Sequence, residues 1–254
     1  MTPSPRLIAA VCAALLVTTA PQAVRAQNLS STQRGEIERV VHDYLVAHPE
    51  VIQEAMTELE KRQTAAEAEK HKIAVKEHAQ KLYSSPNQVT LGNPNGNVTF
   101  VEFFDYNCGY CKRAMTDMLT LLKNDPKLKV VLKEFPVLGP GSLEAARVAV
   151  AVRMQNPKKY LEFHTNLLGG RGPADEAHAL AVAKDIGLNM TQLEKDMQSP
   201  EVKATLDEDF KLAEALGLNG TPSYVIGSDV VVGAIGLPGL QEKVNTARCG
   251  KPTC

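Results

Sequence analysis

Two cysteines separated by two residues, Cys108-Gly109-Tyr110-Cys111, fall where a strand pattern gives way to a helix pattern. Upstream, Val98-Thr99-Phe100-Val101-Glu102-Phe103-Phe104 is a short apolar run rich in aromatic and β-branched residues, which reads as a buried strand. Downstream, Met115, Met118, Leu119 and Leu122 recur at i, i+3, i+4 and i+7, one face of a helix. Cys108 is therefore expected near a helix N-terminus, where unpaired backbone N–H groups and the helix dipole stabilise negative charge. A thiolate is favoured there, and such placement lowers a cysteine pKa to roughly 3.5–7.5. With two residues between them, the second sulfur can reach the first, the geometry of a redox dithiol. A C-x-x-C can also be half of a zinc site, but structural zinc usually takes a second such pair or two closely spaced histidines. Here the remaining pair, Cys249 and Cys254, is too widely spaced for a zinc knuckle, and no His-x₃₋₅-His follows the motif.

The N-terminus bears on the compartment. Arg6 precedes an uncharged, small-to-apolar stretch over residues 7–20, and Val24-Arg25-Ala26 supplies the small residues of a cleavage site. The apolar run is shorter than the roughly 20 residues a membrane span needs. Residues 1–26 read as a secretory leader, with cleavage expected after Ala26. Cys12 would leave with it, and an even number of cysteines would remain, as suits an oxidising compartment. The whole chain carries a formal net charge of −1, and the leader holds basic residues and no acids, so the remainder is mildly acidic. Nothing in that balance points to nucleic acid or an anionic membrane surface.

Residues 27–85 read as a helical arm. Ser31 or Thr32 is expected to cap a helix whose face is Ile37, Val40, Val41, Tyr44 and Leu45. His48-Pro49 should break it, because the residue before proline is pushed out of the α region. Helix resumes with Val51, Ile52, Ala55, Met56 and Leu59 on one face. Residues 60–80 turn to Ala, Glu, Lys and Gln, good helix formers with little apolar surface. A continuous helix of roughly 30 residues would be about 45 Å long. Self-association through residues 37–59, with the polar stretch as spacer, is one reading; a helical pair packed on its own domain is the other.

Residues 86–254 read as one compact domain. Strand patterns at 88–91, 98–104 and 128–135 enclose the dithiol helix, and strands separated by a helix make a βαβ unit. Residues 141–217 are helical throughout, with Asn189 and Ser199 as N-caps. Strand returns at 223–226 and 230–235 around a Gly227-Ser228-Asp229 turn, and a last helix over 240–247 leads to Cys249. The fold class is α/β, a sheet domain interrupted by a helical insertion and preceded by the arm.

Three segments carry a resemblance: Phe103-Phe104-Asp105-Tyr106-Asn107 with the cysteine motif, Lys133-Glu134-Phe135-Pro136-Val137-Leu138-Gly139, and Gly220-Thr221-Pro222-Ser223-Tyr224. They resemble the DsbA family of thioredoxin-fold, periplasmic thiol–disulfide oxidoreductases, over about residues 88–247. The arm around Tyr44 to Ala55 is similar to the N-terminal oligomerisation region of ScsC-type proteins, a group with trimeric disulfide isomerases and proteins linked to copper tolerance. The resemblance implies a thioredoxin-like fold and a disulfide isomerase or reductase acting by thiolate exchange through Cys108, with Cys111 resolving. It assigns Pro222 as a cis-proline facing the cysteines, with the Thr221 backbone groups free to bind a substrate chain as an added strand. Tyr110 is expected at the same substrate surface. Thr221 before the proline, and Gly-Tyr between the cysteines, resemble the isomerase and reductase members more than the strong oxidases. Expected partners are cysteine-containing secreted proteins, a membrane redox partner and further copies of the chain, trimer ahead of dimer. No metal or organic cofactor is required. A monomeric oxidase and a thiol protein that sequesters Cu(I) are the alternatives, soft thiolates being good ligands for that ion.

Family members often keep a buried acid where Glu102 stands. A buried carboxylate holds its proton, so Glu102 could accept the Cys111 proton; strand alternation could equally turn it outward. Lys112 and Arg113 add positive charge near Cys108 or are solvated surface. Asp105 and Asn107 shape the turn. His164, on a face with Tyr160 and Leu167, reads as a packed core histidine, and Cys249–Cys254 as a small structural disulfide.

Overall fold

The computed structural model describes residues 29–254; the expected leader, with Cys12, lies outside the described residues. The chain divides into two compact units, the first ending at Glu58 and the second running from Leu59 to Cys254. In the first, α1 (Ser31–Ala47) is capped by Ser30 rather than by Ser31 or Thr32. The Ser30 hydroxyl accepts from the Gln33 N–H while the Gln33 side chain accepts from the Ser30 N–H, a reciprocal box that satisfies two otherwise orphaned donors. His48-Pro49 separates α1 from α2 (Glu50–Glu77). No residue of α1 is buried, and Ile37, Val40, Val41, Tyr44, Ile52 and Met56 are all exposed.

The second unit is built on a five-stranded sheet. After α3 (Ala79–Ser84) come β1 (Val89–Gly92), β2 (Val98–Phe104), α4 (Gly109–Asn124) and β3 (Leu128–Glu134). The helical insertion follows as α5 (Pro140–Gln155), α6 (Tyr160–Gly169), α7 (Glu176–Asp185), α8 (Met190–Met197) and α9 (Pro200–Ala215). Then β4 (Ser223–Ile226), β5 (Asp229–Val232) and α10 (Gly236–Cys249) complete the chain. Strand order is β1-β3-β2-β4-β5; β2 and β3 are parallel through α4, and every other pairing is antiparallel. Gly92 turns out of β1 at φ +70°, and a Cβ there would lie 2.6 Å from the Leu128 carbonyl oxygen. The fifth strand ends at Val232, short of the expected 235.

Alternation along β2 sorts its side chains between two layers. Phe100 and Phe104 pack with Cys111, Ala114 and Met118 of α4, Leu240 and Val244 of α10, and the helices α5 to α8. Val101 and Phe103 face the other way, onto Leu212 of α9 and Leu216, which caps its C-terminus. Val75, from the stretch expected to be spacer, and Leu82, near the end of the expected arm, are buried in that second layer. Burying a side chain of that size stabilises by about 1.5–3 kcal/mol. Lys133 is fully buried beside Asp209 at 3.2 Å and Glu208 at 3.5 Å, tying β3 to α9. Removing one partner of such a buried pair costs about 3–5 kcal/mol.

Candidate active site

Cys108 is the N-cap residue of α4. Its sulfur accepts the Cys111 N–H at 3.2 Å and lies 3.2 Å from the Thr221 carbonyl oxygen, to which the thiol donates. Both cysteines are buried and unbonded. Hydrogen bonding to the Cys111 thiol is the largest influence on Cys108; burial opposes it, and the Thr221 side chain and the N–H groups of Cys111 and Tyr110 add to it, so Cys108 falls to about 6. Cys111 is pushed far upward, first by its bond to Cys108 and then by burial. One sulfur is thus poised to ionise near neutrality while the other keeps its proton.

The turn before α4 is held from within. The Asp105 carboxylate is buried and accepts from the Asn107 N–H at 2.7 Å, the Ser142 hydroxyl at 2.7 Å and the Leu138 N–H at 2.9 Å. Asn107 exchanges bonds with both backbone groups of Ala174. The cysteine turn is thereby fastened to the start of α5 and to the loop before α7, a link that Ser142 and Ala174 gave no sequence signal to reveal. Lys112 donates to the Gly170 carbonyl at 2.6 Å. Arg113 lies 4.5 Å from the centre of the Tyr110 ring, and Tyr110 is 60% exposed.

Thr221-Pro222 is a cis peptide, next to Cys108 through the Thr221 carbonyl. That carbonyl, expected to be open to a substrate chain, is engaged by the Cys108 thiol in this structure. Glu102 is 3% exposed and lies on the same sheet face as Phe100 and Phe104, the face that α4 covers. Its pKa is raised to about 8, chiefly by burial and further by the charges of Cys108 and Asp117. His164 is buried against Phe104 and Tyr106, at 4.6 and 5.6 Å between ring centres, and burial lowers it to about 3. It belongs to a chain unread in the sequence: Tyr160 donates to Glu134 at 2.7 Å, and the Tyr106 hydroxyl lies 3.3 Å from that of Tyr160. Cys249 and Cys254 are disulfide-bonded.

A family model for DSBA-like thioredoxin domains matches residues 99–245, more than half of the chain and the whole of this site. The chain belongs to the DsbA-like thioredoxin family. A second model, the N-terminal domain of copper resistance protein ScsC, matches residues 33–66. Among solved structures, a thioredoxin-like oxidoreductase from Silicibacter pomeroyi is 46% identical, covering 66% of this chain and 96% of that one at a TM-score of 0.64. ScsC of Proteus mirabilis in a transitional conformation is 26% identical, covering 87% of this chain and 98% of that one, also at 0.64. A probable disulfide bond formation protein D of Bacillus cereus is 24% identical over 165 residues, 60% of this chain and 76% of that protein. A sodium/proton antiporter NhaA 1 of a Mycobacterium species is 28% identical over 142 residues. That match takes in 53% of this chain and 22% of the antiporter, so the chain spans about a fifth of such relatives.

Proposed function

We propose that this DsbA-like protein is a periplasmic thiol–disulfide oxidoreductase that reduces or reshuffles disulfides of secreted proteins through Cys108. The observation that carries the reading is the asymmetry of the dithiol: Cys108 capping α4 with a lowered pKa, Cys111 beside it with a raised one. The Cys108 thiolate attacks one sulfur of a substrate disulfide; the substrate S–S bond breaks, a mixed disulfide forms, and the other substrate sulfur leaves as a thiolate. Ionised, Cys108 can no longer donate to the Thr221 carbonyl, which is released to pair with the arriving chain. Resolution follows in either of two ways. Cys111 loses its proton to Glu102, attacks Cys108 and expels the substrate thiolate, or a substrate thiolate attacks and leaves the protein reduced with the disulfide rearranged. The raised pKa of Glu102 suits a base that must take a proton from a reluctant thiol.

The arm supports the isomerase reading. An exposed face carrying Ile37, Val40, Val41 and Tyr44 favours association, and several dithiols around one substrate favour reshuffling. The expected state is a homo-oligomer, trimer ahead of dimer, with a membrane protein renewing its redox state and the leader-like N-terminus taking it there. Insulin reduction and recovery of scrambled ribonuclease test the exchange reading, with light scattering for the oligomer. Removing residues 27–58 is the informative truncation, since a cut at 85 would also strip Val75 and Leu82 from the core. The expected product is a monomer that still exchanges small disulfides but recovers scrambled ribonuclease poorly. A mature protein that is already monomeric, with undiminished isomerase activity after truncation, points instead to a monomeric oxidase. Tight stoichiometric Cu(I) binding by the reduced protein, without thiol exchange, would favour sequestration.

A further inference from the structure

Glu102 of β2 and Tyr224 of β4 are directly opposed across an antiparallel pair. Opposed residues project from the same face of the sheet with Cβ atoms about 4.5–5.5 Å apart. The face is the one Cys111 packs on, and Tyr224 stands there with its ring 5.2 Å from that of Phe100. Tyr224 is buried, yet its hydroxyl has no hydrogen-bond partner among the described residues. A buried hydroxyl left unpaired is costly, and phenylalanine would fill the same space without that cost. The phenol therefore needs an acceptor that exists in some other state of the site.

Glu102, opposite it across the strand pair, is the candidate acceptor. Facing it, α4 brings Cys108, Cys111 and Asp117, β4 brings Tyr224, β3 brings the uncharged Leu132, and α10 brings Leu240 and Val244. The charges acting on Glu102 are all negative, so its ionised form has no cation to lean on. We propose that Tyr224 is a positioning residue for the resolving step, donating its hydroxyl hydrogen to the Glu102 carboxylate when that carboxylate receives the Cys111 proton. The inference rests on the exchange reading above. In the step, the Cys111 S–H bond breaks and the proton goes to Glu102. The Cys111 sulfur then bonds to the Cys108 sulfur, the Cys108–substrate S–S bond breaks, and its electron pair leaves on the substrate sulfur. The timing follows from charge. Burial chiefly keeps Glu102 protonated, and a free Cys108 thiolate adds to that. In the mixed disulfide the thiolate charge is gone, so Glu102 more readily gives its proton to solvent, just when a base is needed and just when Tyr224 gains its acceptor.

The test is a single-turnover measurement on the mature, full-length protein. Cys108 is loaded with glutathione as a mixed disulfide, and thiol release is followed across pH for wild type, Tyr224→Phe, Glu102→Gln and Tyr83→Phe. Tyr83 is the control, since its hydroxyl donates to the Gly227 carbonyl and not toward the dithiol. Tyr224→Phe should slow release about tenfold near neutrality and move the midpoint of the pH profile up by about one unit, the shift a tenfold change corresponds to. Glu102→Gln should be slow throughout, and Tyr83→Phe should follow wild type. A wild-type profile in Tyr224→Phe beside a slow Glu102→Gln overturns the inference and leaves the exchange reading standing. A wild-type protein that forms no mixed disulfide at all overturns the exchange reading, and the inference with it.

Discussion

The two cysteine pairs of this chain are made of the same atoms and sit at opposite ends of helices. Cys108 caps the N-terminus of α4, where the Cys111 N–H points at its sulfur and the helix dipole presents its positive end. Cys249 is the last residue of α10, where the neighbours are carbonyl oxygens: Lys251 O lies 3.8 Å from the Cys249 sulfur, and Asn245 O lies 3.3 Å from that of Cys254. Carbonyls and the negative end of a dipole disfavour a thiolate, so reduction of the second pair gains nothing from its surroundings. Gly250, at φ 76°, folds the chain back, and Asn245 holds the return by donating to the Pro252 carbonyl at 2.9 Å. Burial runs against intuition, for the pair built to react is buried and the bonded pair is exposed. The two pairs differ in the groups that face their sulfurs more than in exposure: thiol and N–H donors at Cys108, carbonyl oxygens at Cys249 and Cys254.

The largest break in that comparison is Cys108→Ser. Insulin reduction should fall to the uncatalysed rate, whereas Cys111→Ser should still attack and accumulate mixed disulfides visible by mass spectrometry. Equal activity of Cys108→Ser and wild type would remove Cys108 from the chemistry. Glu102→Gln tests the acid that lies beneath the first pair alone. Its folded pKa, about 8, is above the ordinary 4.5, so between those values the unfolded chain ionises while the folded protein holds a proton. Wild type therefore loses stability as pH rises through that window, and nothing of the penalty remains below it. Glu102→Gln should be more stable than wild type at pH 8, by a few kcal/mol at most, and should lose the advantage near pH 4. A variant less stable at both pH values would contradict a lone buried acid. The smallest effect belongs to the tail. Replacing Cys249 and Cys254 by serine opens a short loop, for which closure entropy supplies about 2 kcal/mol; melting should show a modest decrease and insulin reduction should be unchanged.

Local pattern carried much of this architecture. The run Val98–Phe104 reads as a buried strand and is one, because aromatic and β-branched side chains fit both of its covered faces. Helix caps at Asn189 and Ser199 were legible because their side chains bond to backbone within three residues. The cap at Ser30 was misread by one or two residues because Ser30, Ser31 and Thr32 are chemically equivalent there, and the choice turns on Gln33 reaching back. Val75 and Leu82 escaped notice for another reason: two apolar residues in a polar helical stretch make no stripe, and their partners in β2 and α9 are distant in sequence. The clamp around Asp105 and the Glu134–Tyr160–Tyr106 chain escaped for the same reason, since their members come from separate elements. Tyr224 was within reach, because pairing the strand after Pro222 beside β2 sets it opposite Glu102.

The most direct test of the central claim is competitive alkylation of the fully reduced protein by a limiting amount of iodoacetamide, read by peptide mass spectrometry across pH. The account predicts that Cys108 takes the label first, with a half-maximal rate near the pH of about 6 to which its thiol is lowered, while Cys111 stays unlabelled. Cys249 and Cys254, flanked by carbonyl oxygens, should take the label only after Cys108 as the pH is raised. Labelling of Cys108 with an unshifted thiol profile, or after the tail cysteines, would contradict the claim that the Cys111 thiol and the N–H groups at the start of α4 lower Cys108.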